Sequence, residues 1–355
     1  MTTPLCAVFC VILTIAAFVG DDLKAADAVP IMNPIAFSGR WDLRSPARAI
    51  TVNSGSYFRV RFSGPSITAN FDLSLNKEPF PTIAWRIDEG DWKESEIAGK
   101  VGLTDGLPNG SHTLWLMVRG LDEHQNRWTT PLVGSVTFIG LDLPKGGKLL
   151  PPLEAWTKPA LKLEFLGDSI TEGVLVQAGG RGVGKNSWPW QTDALHSYAC
   201  RTAMLLSAAW RQVGFGATGI NHGGSGGALS ALKTFDYFYQ GCPRDGWQPD
   251  VVVINQGTND AGAPSEAYAL LYAKYLALVR QAYPKAKIAA VRPFGGAQAA
   301  SISQEVSKAR EKGDHAVYYI DTTGWYSGPL HPGAAASIGL ADKLAAALKS
   351  EVLGP

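Results

Sequence analysis

Residues 161–173, LKLEFLGDSITEG, constrain the fold more than any other stretch of the chain. An apolar run with period-two alternation stops at Gly167-Asp168-Ser169. A parallel-sheet strand delivers a residue to the carboxyl edge of its sheet in this way, and open α/β folds place their ligands at that edge. Gly167 permits a sharp turn, and a helix following it would aim backbone N–H groups at an anion near Ser169. Ser169 is therefore a candidate nucleophile.

Around this stretch the chain divides into two textures. From 30 to 145 there are short alternating runs (56–62, 67–73, 82–87, 111–118 and 134–143) and no helical period. Asp88-Glu89-Gly90 and Asn109-Gly110 read as hairpin turns. This pattern predicts an antiparallel, jelly-roll-like β-sandwich. Residues 146–159, rich in Pro, Gly and Lys, read as a linker. From 160 to 355, strand candidates (161–166, 216–220, 251–255, 288–291, 317–320) alternate with helix candidates (196–210, 265–283, 301–312, 334–348). That alternation predicts an α/β domain, a parallel sheet covered by helices on both faces.

Residues 1–28 read as a secretory signal, with an apolar run at 5–20 and Ala26-Asp27-Ala28 as the small-residue cleavage pattern. This predicts a secreted or periplasmic protein with no membrane attachment after cleavage. The segment carries −2, so the formal +1 of the 355-residue chain becomes +3 without it. A charge that small and that evenly spread argues against nucleic acid or an anionic membrane as partner. Cys200 and Cys242 would remain, too few for a disulfide framework and best read as buried small hydrophobes. The six histidines lack metal-ligand spacing, and no cofactor or metal is expected.

Four segments follow predicted strands: Gly167-Asp168-Ser169-Ile170-Thr171, the loop 221–227 (NHGGSGG), Gly257-Thr258-Asn259-Asp260, and Leu330-His331-Pro332. Together they fit an acyl-transfer site. Ser169 would attack an ester carbonyl and His331 would take and return its proton. The Ser169 N–H, a glycine N–H of the second segment and the Asn259 amide would hold the oxyanion. Taken singly, each has a plainer reading: Ser169, Asn259 and Asp260 as helix caps, His331 as a loop residue. His196 and His222 sit in no base position. Ser225 formally satisfies G-x-S-x-G and is the rival nucleophile, although that choice leaves the other blocks unexplained.

The four blocks, in this order over roughly 160–350, resemble those of the SGNH (GDSL-type) hydrolases. The resemblance implies Ser169 as nucleophile, Gly226 and Asn259 as oxyanion donors, and His331 as general base. Gly223, Gly224 and Gly227 compete with Gly226 for its role. That superfamily usually orients the histidine with an Asp three residues before it, where this chain has Gly328. In a serine protease, neutralising the equivalent Asp lowers kcat by roughly 10⁴. A β domain ahead of an SGNH domain lacking that Asp resembles carbohydrate esterase family two. Its members deacetylate xylan and related sugars, and a backbone carbonyl orients the histidine. The resemblance implies a carbonyl near 328–330 on His331 Nδ1, with Asp321 and Asp260 as possible substitutes. Trp188, Trp190, Trp325 and Tyr326 are candidate sugar platforms or interdomain padding, and 177–185 is a candidate loop at the cleft mouth. Three functions remain open: removal of acetyl or other short acyl groups from plant polysaccharide, esterase action on lipid, thioester or aryl esters, and glycan binding without turnover.

Overall fold

The computed structural model describes residues 34–178 and 187–354. The secretory-signal reading and most of the 177–185 loop lie outside these residues.

In the amino-terminal half, side-chain alternation builds an antiparallel sandwich. One sheet runs in the order Ala36–Ser38, Tyr57–Ser63, Ser111–Gly120, Thr82–Ile87, Lys93–Glu96. The other runs Asp42–Ser45, Arg48–Thr51, Val136–Asp142, Ile67–Phe71, Lys100–Thr104. Phe58, Val60, Phe62, Leu114 and Leu116 of the first sheet meet Ile67, Ala69, Phe71 and Phe138 of the second in one apolar core. The five long runs appear within two residues of their sequence positions. The strands that escaped notice are short, three to five residues, and most carry charged residues that break the alternation. Lys148–Leu150, within the stretch read as linker, is an added strand on Tyr57–Ser63, where Leu149 packs on the sandwich core.

The carboxyl half is a three-layer α/β/α unit. Its five parallel strands, in chain order, are Lys162–Gly167, Ala209–Gly214, Val251–Asn255, Lys287–Val291 and Val317–Ile320, and they lie side by side in the order 2-1-3-4-5. Period-two alternation divides their side chains between the faces. Leu163, Phe165, Val251, Val253, Ala289 and Val291 pack under the helices Tyr198–Leu205 and Ala334–Ala347. Leu166, Val252, Ile254, Ile288 and Ala290 pack under Ser265–Ala282 and Ala299–Glu311. The first strand lies between the second and third, so the order reverses there. Ligands of such sheets bind at that switch point, beyond the carboxyl ends of the strands.

One strand differs from the sequence reading. Residues 209–214 (AWRQVG) form the second strand, whereas 216–220 is loop. Two polar residues in the middle of 209–214 disguised it. Both are buried and paired: Arg211 with Asp245 at 2.6 Å, and Gln212, which donates to the Thr171 carbonyl at 2.6 Å.

Three buried arginines of the sandwich reach carboxylates of the α/β unit. Arg40 meets Glu164 at 3.2 Å, Arg119 meets Asp193 at 3.1 Å, and Arg127 meets Glu172 at 2.6 Å. Among the described residues no helix is long and apolar enough to cross a membrane, and Cys200 and Cys242 are free and buried.

Candidate active site

The first strand ends at Gly167, where only a hydrogen fits. A Cβ there would lie 1.9 Å from Thr171 Oγ1 and 2.9 Å from the Asn255 carbonyl. The chain turns at once into the single helical turn Ser169–Glu172, capped by Asp168, whose Oδ1 accepts from the Ile170 N–H at 2.9 Å. Ser169 is the first residue of that turn, a position whose N–H has no partner within the helix. Beneath it lies a buried polar network: Thr171 Oγ1 and Tyr198 Oη are 2.7 Å apart, and Asn255 Nδ2 donates to Tyr198 Oη at 3.2 Å. Nothing in the sequence distinguished Thr171, Tyr198 or Asn255 as members of one network. Only the topology brings them together.

His331 Nε2 lies 2.9 Å from Ser169 Oγ, although 162 residues separate them in sequence. Ser169 is 6% exposed. Burial holds the His331 imidazole below the ordinary histidine range, which keeps it neutral and able to accept a proton. The loop that carries it is tied down on both sides. The Tyr326 hydroxyl donates to the Pro329 carbonyl at 2.6 Å, Ser337 Oγ donates to the Pro332 carbonyl at 3.3 Å, and the Ala334 N–H donates to the Val176 carbonyl at 3.0 Å.

No carbonyl of 328–330 bonds to His331; that of Pro329 is taken by Tyr326. Asp321 is occupied by Thr323, and Asp260 accepts from the N–H groups of Ile220 (2.9 Å) and Asn221 (3.1 Å). Among the described residues Nδ1 has no hydrogen-bond partner, so the imidazole is oriented by loop packing and by Ser169.

The Asn259 side chain donates to the Thr218 carbonyl at 3.1 Å, and the Asn259 carbonyl meets His222 Nε2 at 3.0 Å. The neighbour of Asn259 is thus the loop directly after the second strand. In that loop Ala217 is exposed and left-handed, at φ 55°. L residues other than Asn and Asp visit this region at a cost of about 1 kcal/mol or more. The Ala217 N–H has no hydrogen-bond partner among the described residues. Gly226 is also left-handed, at φ 64°, but faces the sandwich: its carbonyl accepts from the Arg127 N–H at 2.9 Å, and it lies against the Glu123 and Gln125 carbonyls. His222 holds two carbonyls, those of Asn259 and Gly223, which raises its pKa because only the doubly protonated ring donates to both.

Asp168 is fully buried, and burial pushes its carboxyl up to about 7. Ser225 has no histidine partner among the described residues. His196 is held by Asp193 at 2.8 Å. Trp190 is 5% exposed, its indole N–H donates to Glu96 at 2.8 Å, and Arg119 lies over its ring; it is an interdomain residue with no face left for a sugar. Trp188 is half-buried and packs on His124. Trp325 and Tyr326 are half-buried against the core of the α/β unit. Among the described residues no group of three or more His, Cys, Asp or Glu is arranged to hold a metal.

Comparison with known proteins matches this anatomy domain by domain. Residues 165–337 match the GDSL-like Lipase/Acylhydrolase family and residues 37–152 match the carbohydrate esterase 2 N-terminal family. The chain thus carries a GDSL-like acylhydrolase domain behind a carbohydrate esterase 2 N-terminal domain. It is similar to the cellulase/esterase CelE of Acetivibrio thermocellus, with 29% identity over 90% of this chain and 40% of that protein. It is also similar to an acetylxylan esterase / glucomannan deacetylase of Cellvibrio japonicus, with 27% identity over 68% of this chain and 64% of that one. The chain thus spans less than two thirds of each of these relatives. A family two carbohydrate esterase from Clostridium thermocellum, solved in complex with cellohexaose, superposes with TM-score 0.74 and 26% identity over 89% of this chain and 98% of that chain.

Proposed function

We propose that this chain is a secreted or periplasmic serine esterase that removes acetyl or other short acyl groups from plant polysaccharide such as acetylated xylan. The observation that carries the reading is the 2.9 Å contact between Ser169 Oγ and Nε2 of a half-buried His331 whose pKa burial lowers. Similarity to acetylxylan esterases supports the substrate class, and the apolar run at 5–20 supports export.

In this mechanism Ser169 Oγ attacks the ester carbonyl carbon as its proton passes to His331 Nε2. Negative charge gathers on the carbonyl oxygen. The Ser169 N–H, the Asn259 amide and an N–H of the loop after the second strand stabilise it. We assign that last donor to Ala217, in place of Gly226, because Ala217 adjoins the peptide that Asn259 holds. Collapse of the tetrahedral adduct breaks the bond to the sugar oxygen, which leaves with the proton from His331. Water then attacks the acyl-serine, its proton moving to His331 and on to Ser169 as carboxylate departs.

The test is acetate release from acetylated xylan and p-nitrophenyl acetate by the wild type, Ser169→Ala and Ser225→Ala. Loss of both activities in Ser169→Ala alone supports the proposal. Loss in Ser225→Ala alone overturns the mechanism. Glycan binding by a folded wild type that turns over neither ester nor an octanoyl ester assigns the chain to binding without catalysis.

A further inference from the structure

On the face of the first sandwich sheet that packs against the α/β unit, Trp115 lies between two arginines. Arg59 and Arg86 are its register partners on the neighbouring strands, and their guanidinium carbons lie 5.5 and 5.0 Å from its ring. These three residues, with Trp92, Met204, Ser207, Ala208 and Trp210, line a cavity of about 350 Å³. That volume is within the range of small-molecule sites. The cavity is not part of the catalytic centre: Trp210 and Ser207 lie at the amino end of the second strand, and Ser169 at the carboxyl edge of the sheet. The strand's own length separates those ends by about 13 Å or more.

Two features set the cavity apart from ordinary interdomain packing. Arg59 has neither a carboxylate nor a hydrogen-bond acceptor among the described residues, although burial disfavours its charge. The charge of Arg86 meets only Glu89, at 3.4 Å, and that carboxylate is almost fully exposed. In addition, three buried donors from the lining residues have no acceptor: Arg59 Nε, Trp115 Nε1 and Trp210 Nε1. Buried N–H groups are nearly always satisfied, so these three show that the wall behind the cavity is short of acceptors. The complement of two guanidiniums, several indoles and unmet donors is an anion on a flat ring with apolar faces.

We propose that this cavity binds a carboxylate-bearing ring, and specifically a uronic acid branch of the polysaccharide, the choice of a polysaccharide branch resting on the function proposed above. One guanidinium takes the carboxylate while the ring lies against the apolar edges of the lining indoles. The site then anchors a decorated chain away from the ester that is being cleaved.

The test uses full-length Ser169→Ala in calorimetric titrations with three probes: a xylo-oligosaccharide carrying one glucuronic acid branch, the undecorated oligosaccharide of equal length, and benzoate. Saturable binding of the branched probe, at least tenfold tighter than that of the undecorated one and weakened at least tenfold by Arg59→Gln, supports the proposal. Arg86→Gln serves as the second variant should Arg59→Gln fail to fold. Equal affinity for the two oligosaccharides overturns it, as does binding indifferent to both arginines. Benzoate binding without binding of the branched probe overturns the uronic acid assignment and leaves an aromatic acid in its place. Neither arginine belongs to the catalytic machinery, so wild-type turnover of p-nitrophenyl acetate persists in both variants. A failure of the esterase reading would instead appear as absent turnover in the wild type.

Discussion

At the scale of single residues, the site's chemistry rests on a histidine with one hydrogen-bonded neighbour. Because burial depresses the His331 pKa, the fraction able to accept a proton stays high into mildly acidic solution. The acid limb of kcat/KM is accordingly expected to fall at a pH below the 6.5 of free imidazole, and a limb above 6.5 would refute this placement. Asn259→Ala is expected to lower kcat by about 10²–10³ with little change in KM, the cost of one oxyanion donor. Steady-state kinetics on p-nitrophenyl acetate measure both. The meeting of Ser169 with His331 was legible in the sequence because each lies where a strand or loop meets the sheet edge, next to recognisable neighbours. Gly226, which lies against the sandwich, was chosen for a physical reason. Reading the second strand at 216–220 instead of 209–214 displaced the adjoining loop toward the glycine-rich segment, and Ala217, the donor proposed above, is not a glycine.

At the scale of elements, the turn from strand to helix at 167–172 is built around a carboxyl group that is costly to ionise. Asp168 has a folded-state pKa of about 7, raised above the ordinary carboxylate value by burial. Its contribution to stability is therefore fully present below about pH 4 and is lost as pH rises toward 7. Asp168→Asn keeps an oxygen for the Ile170 N–H and removes the titration. The melting temperature of this variant relative to wild type is expected to be higher at pH 8 than at pH 5; a difference independent of pH would show that Asp168 titrates normally. The alternation that predicts the parallel sheet was readable because Leu163 and Phe165 face one helical layer and Leu166 the other. The strand 209–214 was not, since Arg211 and Gln212 owe their burial to Asp245 and Thr171, partners distant in sequence.

At the scale of the molecule, the two halves are joined through buried ion pairs. The Arg127–Glu172 pair sits at the end of the nucleophile turn. Arg127→Met leaves the Glu172 carboxylate buried and unpaired, at an expected cost of about 3–5 kcal/mol in urea unfolding. Arg127→Met with Glu172→Met is expected to recover most of that loss, because two apolar groups of similar size need no partner. If the double variant is as unstable as the single one, the pair supplies stability in its own right. Two domains were legible from the change in texture near residue 146, but their mutual dependence was not. An arginine in a strand pattern reads as solvent-facing until its carboxylate is known.

The distribution of these pairs limits how such genes can be shuffled. All three cations lie ahead of residue 146 and these three anions after 160, so a crossover in the intervening stretch parts Arg40 and Arg127 from their carboxylates, while Arg119 keeps Glu94. A hybrid made there between distant relatives would inherit two buried arginines without a carboxylate unless both parents share the same sockets. The stretch that looks in sequence like the natural seam is therefore a poor place to cut.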